Sequence, residues 1–454
     1  MKINEEVLTS IEKRSRIRIC VVEYKGAGLT TACLLANAGF KVVVVDKDRG
    51  VVETIKKGES PFSEPSLQEL VSKNVKERKL NATVDIKGAV SKSDVIIVAI
   101  NIPVDEKMRP DYSRLETTCK EIGKDLRRSS LVVITNTVGP GVTENLVKSW
   151  IENASGLKAG RDFGLAYSPT LAAAEKAPYD ISNYARLIAG IDNESLKAAS
   201  LLFKTIINSE IIPLSSIKAA ETAKIFQNVY RDVNLALSNE LALFCERLGI
   251  DYMEVYRAAN IVPYCHLVVP GMADEYVLED LYLLMKEADS LGIRLRIIEL
   301  ARKTNESMVT HIVKLVRKAL RSYSKPLRGA KITILGVSRK ANVKDSKGVT
   351  LLRLVKMFTA KGAKVKVHDP FFSKKELLEL GYPGEGSLEK ALKDSDCLLI
   401  VVGHDQYKKL SLKKVKTLMK HPAIVDLSHI IDRDKAKKEG ILLIGLGQGS
   451  MEAG

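Results

Sequence analysis

A short turn near the start of the chain holds the first residues that could do chemistry. In a dinucleotide-binding turn, GxGxxG, two glycines let the backbone approach a pyrophosphate and the third lets helix and strand pack closely. The sequence here is EYKGAG, in which Glu23 and Lys25 replace the first two glycines. Gly26 remains beside them, and Gly28 stands at the third position. Asp46 follows the next apolar run, where a carboxylate binds an adenosine ribose and favours NAD over NADP. These residues alone leave open both an NAD site and a sheet that has lost its dinucleotide.

The thiols and imidazoles do not have the spacing of a metal or disulfide site. The six cysteines are scattered without a CxxC pair, so reduced thiols are expected. No histidine pair has metal-ligand spacing with a carboxylate or thiol, so no metal is predicted. The cysteines are Cys20, Cys33, Cys119, Cys245, Cys265 and Cys397.

The charge of the 454-residue chain is concentrated towards its end. The formal net charge is +16, and residues 325–454 hold 26 Lys and Arg against 14 Asp and Glu. Such a field attracts phosphates of a nucleotide ligand or a nucleic acid, although solvated lysine surface explains it equally well. Because no aromatic-rich strand, zinc knuckle or helix-turn-helix pattern is present, no nucleic-acid partner is predicted.

The sequence also predicts no membrane association. No apolar run reaches the roughly 18 residues that a spanning helix needs, and the first residues, MKINEEVLTSIEKRSR, are charged where a signal peptide is apolar. A cytoplasmic protein is therefore expected.

Short apolar runs alternating with amphipathic stretches must position these candidates. Near-continuous β-branched runs at 16–22, 41–45, 95–100 and 131–135 are typical of parallel strands buried on both faces, and 29–38 and 114–126 suit crossover helices. The same alternation returns after a polar linker at 322–329, with strands predicted at 331–335, 364–368, 397–402 and 423–427. The fold predicted is α/β, with two Rossmann-like doubly wound parallel-sheet domains.

Between these halves the periodicity becomes helical. Residues 217–248 contain no Gly or Pro, and a helix of roughly 30 residues would extend about 45 Å, more than one compact domain needs. We expect this helix to join the domains and to offer a face to a second subunit. The predicted division is an N-terminal arm at 1–15, an NAD-binding domain at 16–212, a central helical domain at 213–322 and a nucleotide-sugar-binding domain at 323–454.

Stretches along nearly the whole chain resemble the UDP-glucose/GDP-mannose dehydrogenase family of NAD-dependent nucleotide-sugar 6-dehydrogenases, most of all its UDP-N-acetylmannosamine dehydrogenase branch. No single stretch is specific, but their combination and order are. The stretches are GESPFSEPSLQEL (58–70), SDVIIVAINIPVDEKMRPDYSRLE (93–116), TNTVGPGVTENLV (135–147), ETAKIFQNVYRDVNLALSNELALFCERLGID (221–251), AANIVPYCHLVVPG (258–271), ILGVSRKANVKDSKG (334–348), HDPFF (368–372), VVGHDQYKKL (401–410) and IVDLSHIID (424–432).

The resemblance implies a reaction and several site residues. Enzymes of this family oxidise the sugar C6 alcohol twice with two NAD molecules, through a thiohemiacetal and a thioester on a cysteine, and they serve polysaccharide biosynthesis. Lys224 matches the family's substrate-binding and catalytic lysine, and Asn228 follows one helical turn later on the same face, so both can point at one substrate oxygen and stabilise a developing oxyanion. Thr137 matches the threonine near the nicotinamide and the reactive carbon, and Asp280 matches the family aspartate. Taken alone, such a lysine, amide or threonine is more often a solvated surface or turn residue, and only the matched set implies a site. The implied partners are a UDP-sugar substrate and a second copy of the chain, in a homodimer through the long helix.

Two positions depart from the family pattern. The family places its cysteine in a PGxGxGGHCxxxDP loop, but the position is Tyr276 when counted back from Asp280 and Leu278 when counted forward from the preceding Pro-Gly. Cys265 lies six residues before that glycine, and a small buried thiol is the usual fate of such a residue. Thr170 stands where the family has a glutamate that helps hydrolysis, and a hydroxyl cannot act as a carboxylate base near neutral pH.

The C-terminal domain carries the residues that the resemblance implies for the nucleotide. Lys340 and Asp345 match the family motif around the bound nucleotide, and Lys347 replaces its usual arginine, keeping the charge but losing the bidentate fork. His404 and Asp405 repeat a family dipeptide interpreted as structural. Because the glycine turn, the cysteine and the glutamate are all altered, the alternative is an inactive paralogue that binds a nucleotide sugar or partners an active homologue.

Overall fold

The structure is a computed structural model that describes residues 3–22, 27–62, 64–105, 109–170, 177–273, 275–345 and 348–449, with only the backbone described at 275–278. It divides into two compact units. The first comprises Met1–Asn228 and Glu279–Arg294, and the second comprises Val229–Leu278 and Leu295–Gly454. The four predicted domain boundaries stay a prediction.

Eight strands of the first unit form one sheet in the order β3-β2-β1-β4-β5-β6-β7-β8. The first six follow the order of dinucleotide-binding doubly wound sheets. Predicted strands 41–45 and 131–135 are found with ends that differ by no more than one residue, whereas β3, β6, β7 and β8 carry weaker apolar patterns that were not predicted. The strands are β1 Arg18–Val22, β2 Lys41–Val45, β3 Leu80–Thr83, β4 Val95–Val98, β5 Leu131–Ile134, β6 Gly164–Tyr167, β7 Arg186–Gly190 and β8 Ile211–Pro213.

One pairing in this sheet differs from the all-parallel expectation. Strand β7 runs antiparallel to β6 and parallel to β8, while the other pairings are parallel. An antiparallel extension at one side of a parallel sheet is common in doubly wound folds and leaves the first six strands undisturbed.

Helices cover both faces of the first sheet. In β1, Ile19 and Val21 pack into one apolar cluster while Cys20 and Val22 pack into another on the opposite face, which is why the strand reads as a continuous apolar run. The helices are α1 Glu5–Leu8, α2 Ile11–Arg14, α3 Ala27–Asn37, α4 Arg49–Lys56, α5 Pro65–Lys76, α6 Ile86–Val90, α7 Ser113–Asp125, α8 Lys148–Ser155, α9 Ala177–Asn183 and α10 Asn193–Lys204, with a π-helical turn at Thr143–Val147 before α8.

The central region is helical, as predicted. Helix α11 spans Ile217–Leu248, the bounds predicted from its periodicity, and supplies residues 217–228 to the first unit and 229–248 to the second. The helices α12 Tyr252–Ala259, α13 Glu275–Ser290 and α14 Arg296–Arg321 follow it. The polar segment 322–329 lies between α14 and the next strand and contains no helix or strand, and its role as a linker between domains stays a prediction.

The second unit contains a five-stranded parallel sheet in the order β10-β9-β11-β12-β13. This is the other common doubly wound order, with a switch point between β9 and β11. The strands are β9 Lys331–Leu335, β10 Lys364–His368, β11 Cys397–Ile400, β12 Ala423–Asp426 and β13 Leu442–Gly445, and the helices are α15 Val349–Ala360, α16 Lys374–Glu379, α17 Leu388–Leu392, α18 Asp405–Lys408, α19 Leu412–Leu418 and α20 Arg433–Lys438.

Within the described part of the chain, no helix is long and apolar enough to cross a membrane. Five of the six cysteines are buried, and burial raises the pKa of the Cys20, Cys33 and Cys119 thiols to about 12. Those three thiols are therefore inert structural side chains.

Candidate functional site

The segments that leave β5 and β6 run side by side at the carboxyl edge of the first sheet. The Ser168 N–H donates to the Ile134 carbonyl (2.9 Å), and the Thr170 N–H donates to the Thr135 carbonyl (3.1 Å). Thr137 lies two residues beyond this ladder and is partly buried. Because ligands of doubly wound sheets bind at the carboxyl ends of the strands, this edge is where a site is expected.

The loop after β5 is held by side chains from two other elements. The Gly139 N–H donates to the Tyr112 hydroxyl (3.1 Å). The Gly141 N–H donates to one carboxylate oxygen of Glu221 (2.6 Å), and the Thr143 N–H donates to the other (2.9 Å). The loop that carries Thr137 is thus bonded to the first turns of α11.

Helix α11 carries a row of polar residues on the face that includes Glu221. Lys224 is partly buried, and Asn228, 8% exposed, donates from its amide to a carboxylate oxygen of Asp280 on α13. Burial raises the pKa of Asp280 to about 6, while the charge of Lys224 and the hydrogen bond from Asn228 act to lower it. We call Lys224, Asn228 and Asp280 the helix cluster.

Two phenols lie close enough to Glu221 and to Asp280 of the helix cluster to be affected by both charges. Burial raises the pKa of Tyr167 well above its usual value, and the negative charges of Glu221 and Asp280 raise it further. Burial also raises the pKa of Tyr112 to about 12, with the same two carboxylates adding to the effect. The four groups therefore share one buried region in the first unit.

The described residues fit a bound dinucleotide. Gly28 is buried in the first turn of α3, the next helix after β1, and Asp46 directly follows β2, with one oxygen accepting from the Asp48 N–H (2.7 Å). Next to Thr137, the buried amide oxygen and nitrogen of Asn136 have no hydrogen-bond partner among the described residues. An unsatisfied amide at this edge is a group that a polar ligand would satisfy.

Four residues that bear on nucleotide binding lie outside the described residues. They are Glu23, Lys25, Gly26 and Lys347.

In the second unit, the loop after β9 is organised by a buried carboxylate. One oxygen of Asp369 accepts from the N–H groups of Val337 (2.8 Å) and Ser338 (3.2 Å) and from the Ser338 hydroxyl. Burial acts to raise the pKa of Asp369, but its hydrogen bonds from His404 and from backbone N–H groups lower it below the usual value. The carboxylate is thus held ionised at the switch point of this sheet.

His404 connects that carboxylate with the far side of the same loop. Its Nδ1 accepts from the Asn342 N–H (2.9 Å), so the ring proton lies on Nε2, which donates to Asp369 (3.1 Å). Asn342 and Asp405 exchange two further hydrogen bonds. This geometry agrees with the structural role predicted for His404 and Asp405.

The same loop carries two of the predicted nucleotide-binding residues. Lys340 is exposed, whereas Asp345 is partly buried and forms an ion pair with Arg339 in which the guanidinium Nε donates at 2.8 Å. Asp345 therefore contributes to the loop's own structure. In the described chain, no group of three or more His, Cys, Asp or Glu side chains could hold a metal ion.

Three consecutive parts of the chain match the domains of one family. Residues 17–207 match the NAD binding domain of the UDP-glucose/GDP-mannose dehydrogenase family, residues 218–307 its central domain and residues 333–433 its UDP binding domain. The chain belongs to this family.

Relatives of known name match the chain over nearly its full length. A UDP-N-acetyl-D-mannosamine dehydrogenase of Pyrococcus horikoshii is 28% identical, over 96% of this chain and 100% of the relative. A UDP-N-acetyl-D-glucosamine 6-dehydrogenase of Pseudomonas aeruginosa is 29% identical, over 92% and 98%. The solved structure of the Pyrococcus horikoshii UDP-D-ManNAc dehydrogenase superposes with a TM-score of 0.87 at 27% identity, covering 95% of this chain and 100% of that one.

Because the chain belongs to this family, the positions at which it departs from the family pattern can be located in the structure. Tyr276, the position counted back from Asp280, lies in the first turn of α13, and Leu278 lies two residues further along the same helix. Cys265, the remaining candidate thiol, is partly buried. Of the predicted site residues, the structure brings Lys224, Asn228 and Asp280 together.

The sequence analysis missed the residues that support this cluster. Glu221 lies three residues before Lys224, and its helical spacing to that lysine was the available signal. Tyr112, Tyr167 and Asn136 had no comparable signal, because their relation to the cluster depends on strand order and loop path.

The buried Asp280 carboxylate makes stability depend on pH. Its folded pKa of about 6 is higher than the unfolded value near 4, so this group removes stability as pH rises from about 4 to about 6. Asp280→Asn removes this cost. The free energy of unfolding of the variant relative to wild type should therefore increase over that window, by up to about 3 kcal/mol, and stay increased at higher pH. Thermal midpoints measured across the window test this.

The matched control is Asp289→Asn, an exposed aspartate on the same helix, whose difference from wild type should not change with pH over this window. A pH-independent difference between Asp280→Asn and wild type would contradict the burial effect.

The His404 bonds predict a second effect, on nucleotide affinity. His404→Phe keeps a ring but removes the bond to Asn342 in the loop of Lys340 and the bond to Asp369, which holds the start of that loop, so affinity for UDP should fall about tenfold. Titration calorimetry with UDP measures this, and Lys409→Ala, an exposed change near the same helix, should leave affinity unchanged. Equal UDP affinity in folded His404→Phe and wild type would contradict the role given to the histidine.

Proposed function

We propose that the protein catalyses NAD-dependent oxidation of the C6 hydroxyl of a UDP-sugar towards the uronic acid. The observation that carries the proposal is the helix cluster, in which Asn228 bonds to a buried Asp280 beside Lys224. The sugar is of the UDP-N-acetylmannosamine or UDP-glucose type. The names of the full-length relatives support this substrate class.

The helix cluster supplies donors and a proton acceptor for the first oxidation. Lys224 and Asn228 would donate to the C6 oxygen and stabilise the negative charge that develops on it. With a pKa of about 6, the Asp280 carboxylate is mostly ionised at neutral pH and would accept the hydroxyl proton before passing it to water. The products of this step are the C6 aldehyde, one reduced cofactor and one proton.

Residues at the edge of the first sheet would hold NAD. Gly28 would let the pyrophosphate approach the start of α3, Asp46 would accept from the adenosine ribose, and Thr137 would lie near the nicotinamide. Bound NAD supplies the hydride acceptor. Gly26 and Lys347 belong to the same proposed set but lie outside the described residues.

The second oxidation has weaker support in this chain. Residues 272–291 contain no cysteine, and Thr170 replaces a carboxylate, so neither a thioester nor its hydrolysis has the family's groups. The aldehyde would have to react as its hydrate, which gives up a second hydride and a proton to form the acid. These changes favour a second candidate, a catalytically inactive paralogue that binds a nucleotide sugar or partners an active homologue.

A cofactor-reduction assay separates the two candidates. Folded protein with NAD and a panel of UDP-N-acetylmannosamine, UDP-N-acetylglucosamine and UDP-glucose should reduce NAD with at least one sugar, and Lys224→Ala should lower the rate at least about a hundredfold because it removes a transition-state donor. The ratio of reduced cofactor to sugar should lie close to one. No reduction with any sugar, together with UDP-sugar binding by calorimetry, would establish the inactive paralogue.

The missing thiol provides the matched comparison. Tyr276→Cys and Leu278→Cys restore a cysteine at the two positions given by the two ways of counting. A ratio that rises towards two in one of these variants, with uronate detected, would identify the family position. A ratio of two in wild type would show that the second oxidation proceeds without this thiol.

The basic C-terminal region would hold the nucleotide end of the substrate. Lys340 and Lys347 would meet the diphosphate as point charges, and Asp345 would fix their loop through Arg339. We place the protein in the cytoplasm, where nucleotide sugars are made.

The exposed side of α11 would form a homodimer. Tyr230, Leu237, Phe244 and Leu248 are at least half exposed and repeat at intervals of seven, seven and four residues, which places them in one stripe. A continuous apolar stripe on an exposed helix is typical of a protein interface. A second copy can cover it because the same stripe is self-complementary about a two-fold axis.

Light scattering with size exclusion tests the dimer. Leu237→Glu combined with Phe244→Glu should convert a dimer of about 100 kDa into a monomer of about 50 kDa, because like charges would face each other across the axis. Arg231→Glu, exposed on α11 but outside the stripe, should stay dimeric. A wild-type monomer, or a dimer in the double variant, would contradict this interface.

A further inference from the structure

Two glutamate side chains link the starts of two helices in the first unit, each accepting hydrogen bonds from the start of the other helix. Glu144, in the π-helical turn, accepts from the Ile217 N–H at the start of α11 (3.1 Å). Glu221, one turn into α11, accepts from the N–H groups of Gly141 and Thr143 at the start of that turn. Each helix thus supplies the carboxylate that satisfies N–H groups the other helix leaves unpaired.

The two glutamates differ in environment. Glu221 is fully buried, whereas Glu144 is partly exposed. A buried carboxylate is costly unless its oxygens are satisfied, and here one N–H donates to each oxygen at the positive end of a helix. Glu221 therefore has strong geometric reasons to stay in place while it is ionised.

This contact joins the two parts of the proposed site. The loop that Glu221 holds carries Thr137, and the helix that carries Glu221 presents Lys224 and Asn228 on the same face over the next two turns. No other described side chain bonds to the backbone N–H groups of both Gly141 and Thr143.

We propose that Glu221 is a positioning residue, which in its ionised form fixes the loop of Thr137 against the helix of Lys224 and Asn228. The inference rests on the function proposed above. The role is not that of a general base, because the Glu221 carboxylate is directed at the Gly141 and Thr143 N–H groups of the loop. Protonation would place a hydrogen on one oxygen and remove its negative charge, so one of the two bonds would be weakened and the loop held less firmly.

The groups around Glu221 favour a proton change near neutral pH. Burial raises the pKa of Glu221 to about 7, against the lowering effect of Thr143 and Gly141, and the nearby Glu144 raises it further. The phenols of Tyr112 and Tyr167 also face it and remain neutral.

Other charges lie on the elements beside it. Lys218 and Lys224 are on its own helix, and Asp280 and Glu287 are on α13, where Glu287 lies 4.0 Å from the Lys218 ammonium. Because these charges are of both signs, they partly cancel, and burial has the largest effect on the pKa of Glu221.

Hydrogen exchange of a peptide covering residues 135–147 tests the contact without requiring activity. In wild type, protection of the Gly141 and Thr143 amides, corrected for intrinsic exchange, should fall about tenfold between about pH 8 and about pH 6. Glu221→Gln keeps the shape with one acceptor oxygen, and Glu221→Asp keeps the charge but is one methylene shorter. Both should lack this protection at either pH.

Kinetics supply the second measurement. In Glu221→Gln, kcat should fall at least about tenfold while KM for the UDP-sugar stays within about twofold. The part of the wild-type loss of rate that is centred near pH 7 should be absent, and the loss near pH 6 that belongs to Asp280 should remain. The control is Glu152→Gln on α8, whose carboxylate accepts from Ala159 and not from the loop. It should match wild type in both measurements.

The outcomes separate this inference from the proposed function. Unchanged protection in Glu221→Gln, or wild-type protection and kinetics in Glu221→Asp, would overturn the positioning role. Wild-type protein without dehydrogenase activity would overturn the proposed function, and the exchange measurement would still decide whether Glu221 holds the loop in a proton-dependent way.

Discussion

Loops that leave the carboxyl ends of parallel strands carry backbone N–H groups that the sheet no longer satisfies. In both units of this protein, buried carboxylates accept those hydrogen bonds. Glu221 holds the loop after β5, and Asp369 holds the loop after β9. In each case an acid that is distant in sequence fixes the path of a loop carrying candidate ligand-binding residues, so the geometry of the site depends on keeping these acids ionised.

The helix cluster follows a different rule. Among the described residues, the Asp280 carboxylate accepts one hydrogen bond, from the Asn228 amide, and the charge of Lys224 compensates part of the cost of burial. Burial raises its pKa to about 6, so it is mostly ionised at neutral pH, as a catalytic proton acceptor requires. The carboxylates that hold loops accept from backbone N–H groups, whereas Asp280 accepts from a side chain beside the proposed reaction.

The sequence allowed the fold to be predicted wherever one signal dominated. Apolar β-branched runs such as 41–45 and 364–368 and the uninterrupted periodicity of α11 agree with the structure to the residue. Strand β7 was not predicted because its direction depends on the path of the preceding connection, which leaves no local pattern.

Some residues of the candidate site could likewise be predicted from the sequence, and others could not. Lys224 and Asp280 came from the resemblance, and helical spacing placed Asn228 on the same face as Lys224. Tyr167 and Tyr112 were not found, because their relation to those residues arises only when the chain folds and brings β6 and the start of α7 near them. Glu221 lies between the two cases, since its spacing was visible but its partners, 78 and 80 residues away, were not.

Replacing the altered positions and replacing the retained ones have different effects on the stability of the fold. A residue that acts only in the chemistry can be replaced at little cost to stability, because it does not support the scaffold. Buried ionic groups with few hydrogen bonds are different, since replacing them with apolar residues of similar volume is often stabilising. Among the described residues, Asp280 accepts one hydrogen bond, and burial raises its pKa to about 6, so it carries an unfavourable charge at neutral pH that packing alone does not need. A chain that only preserved a fold would gain stability by losing this carboxylate, whereas losing Glu221 would leave the Gly141 and Thr143 N–H groups unsatisfied. The presence of Asp280 therefore favours a working site over an inactive scaffold.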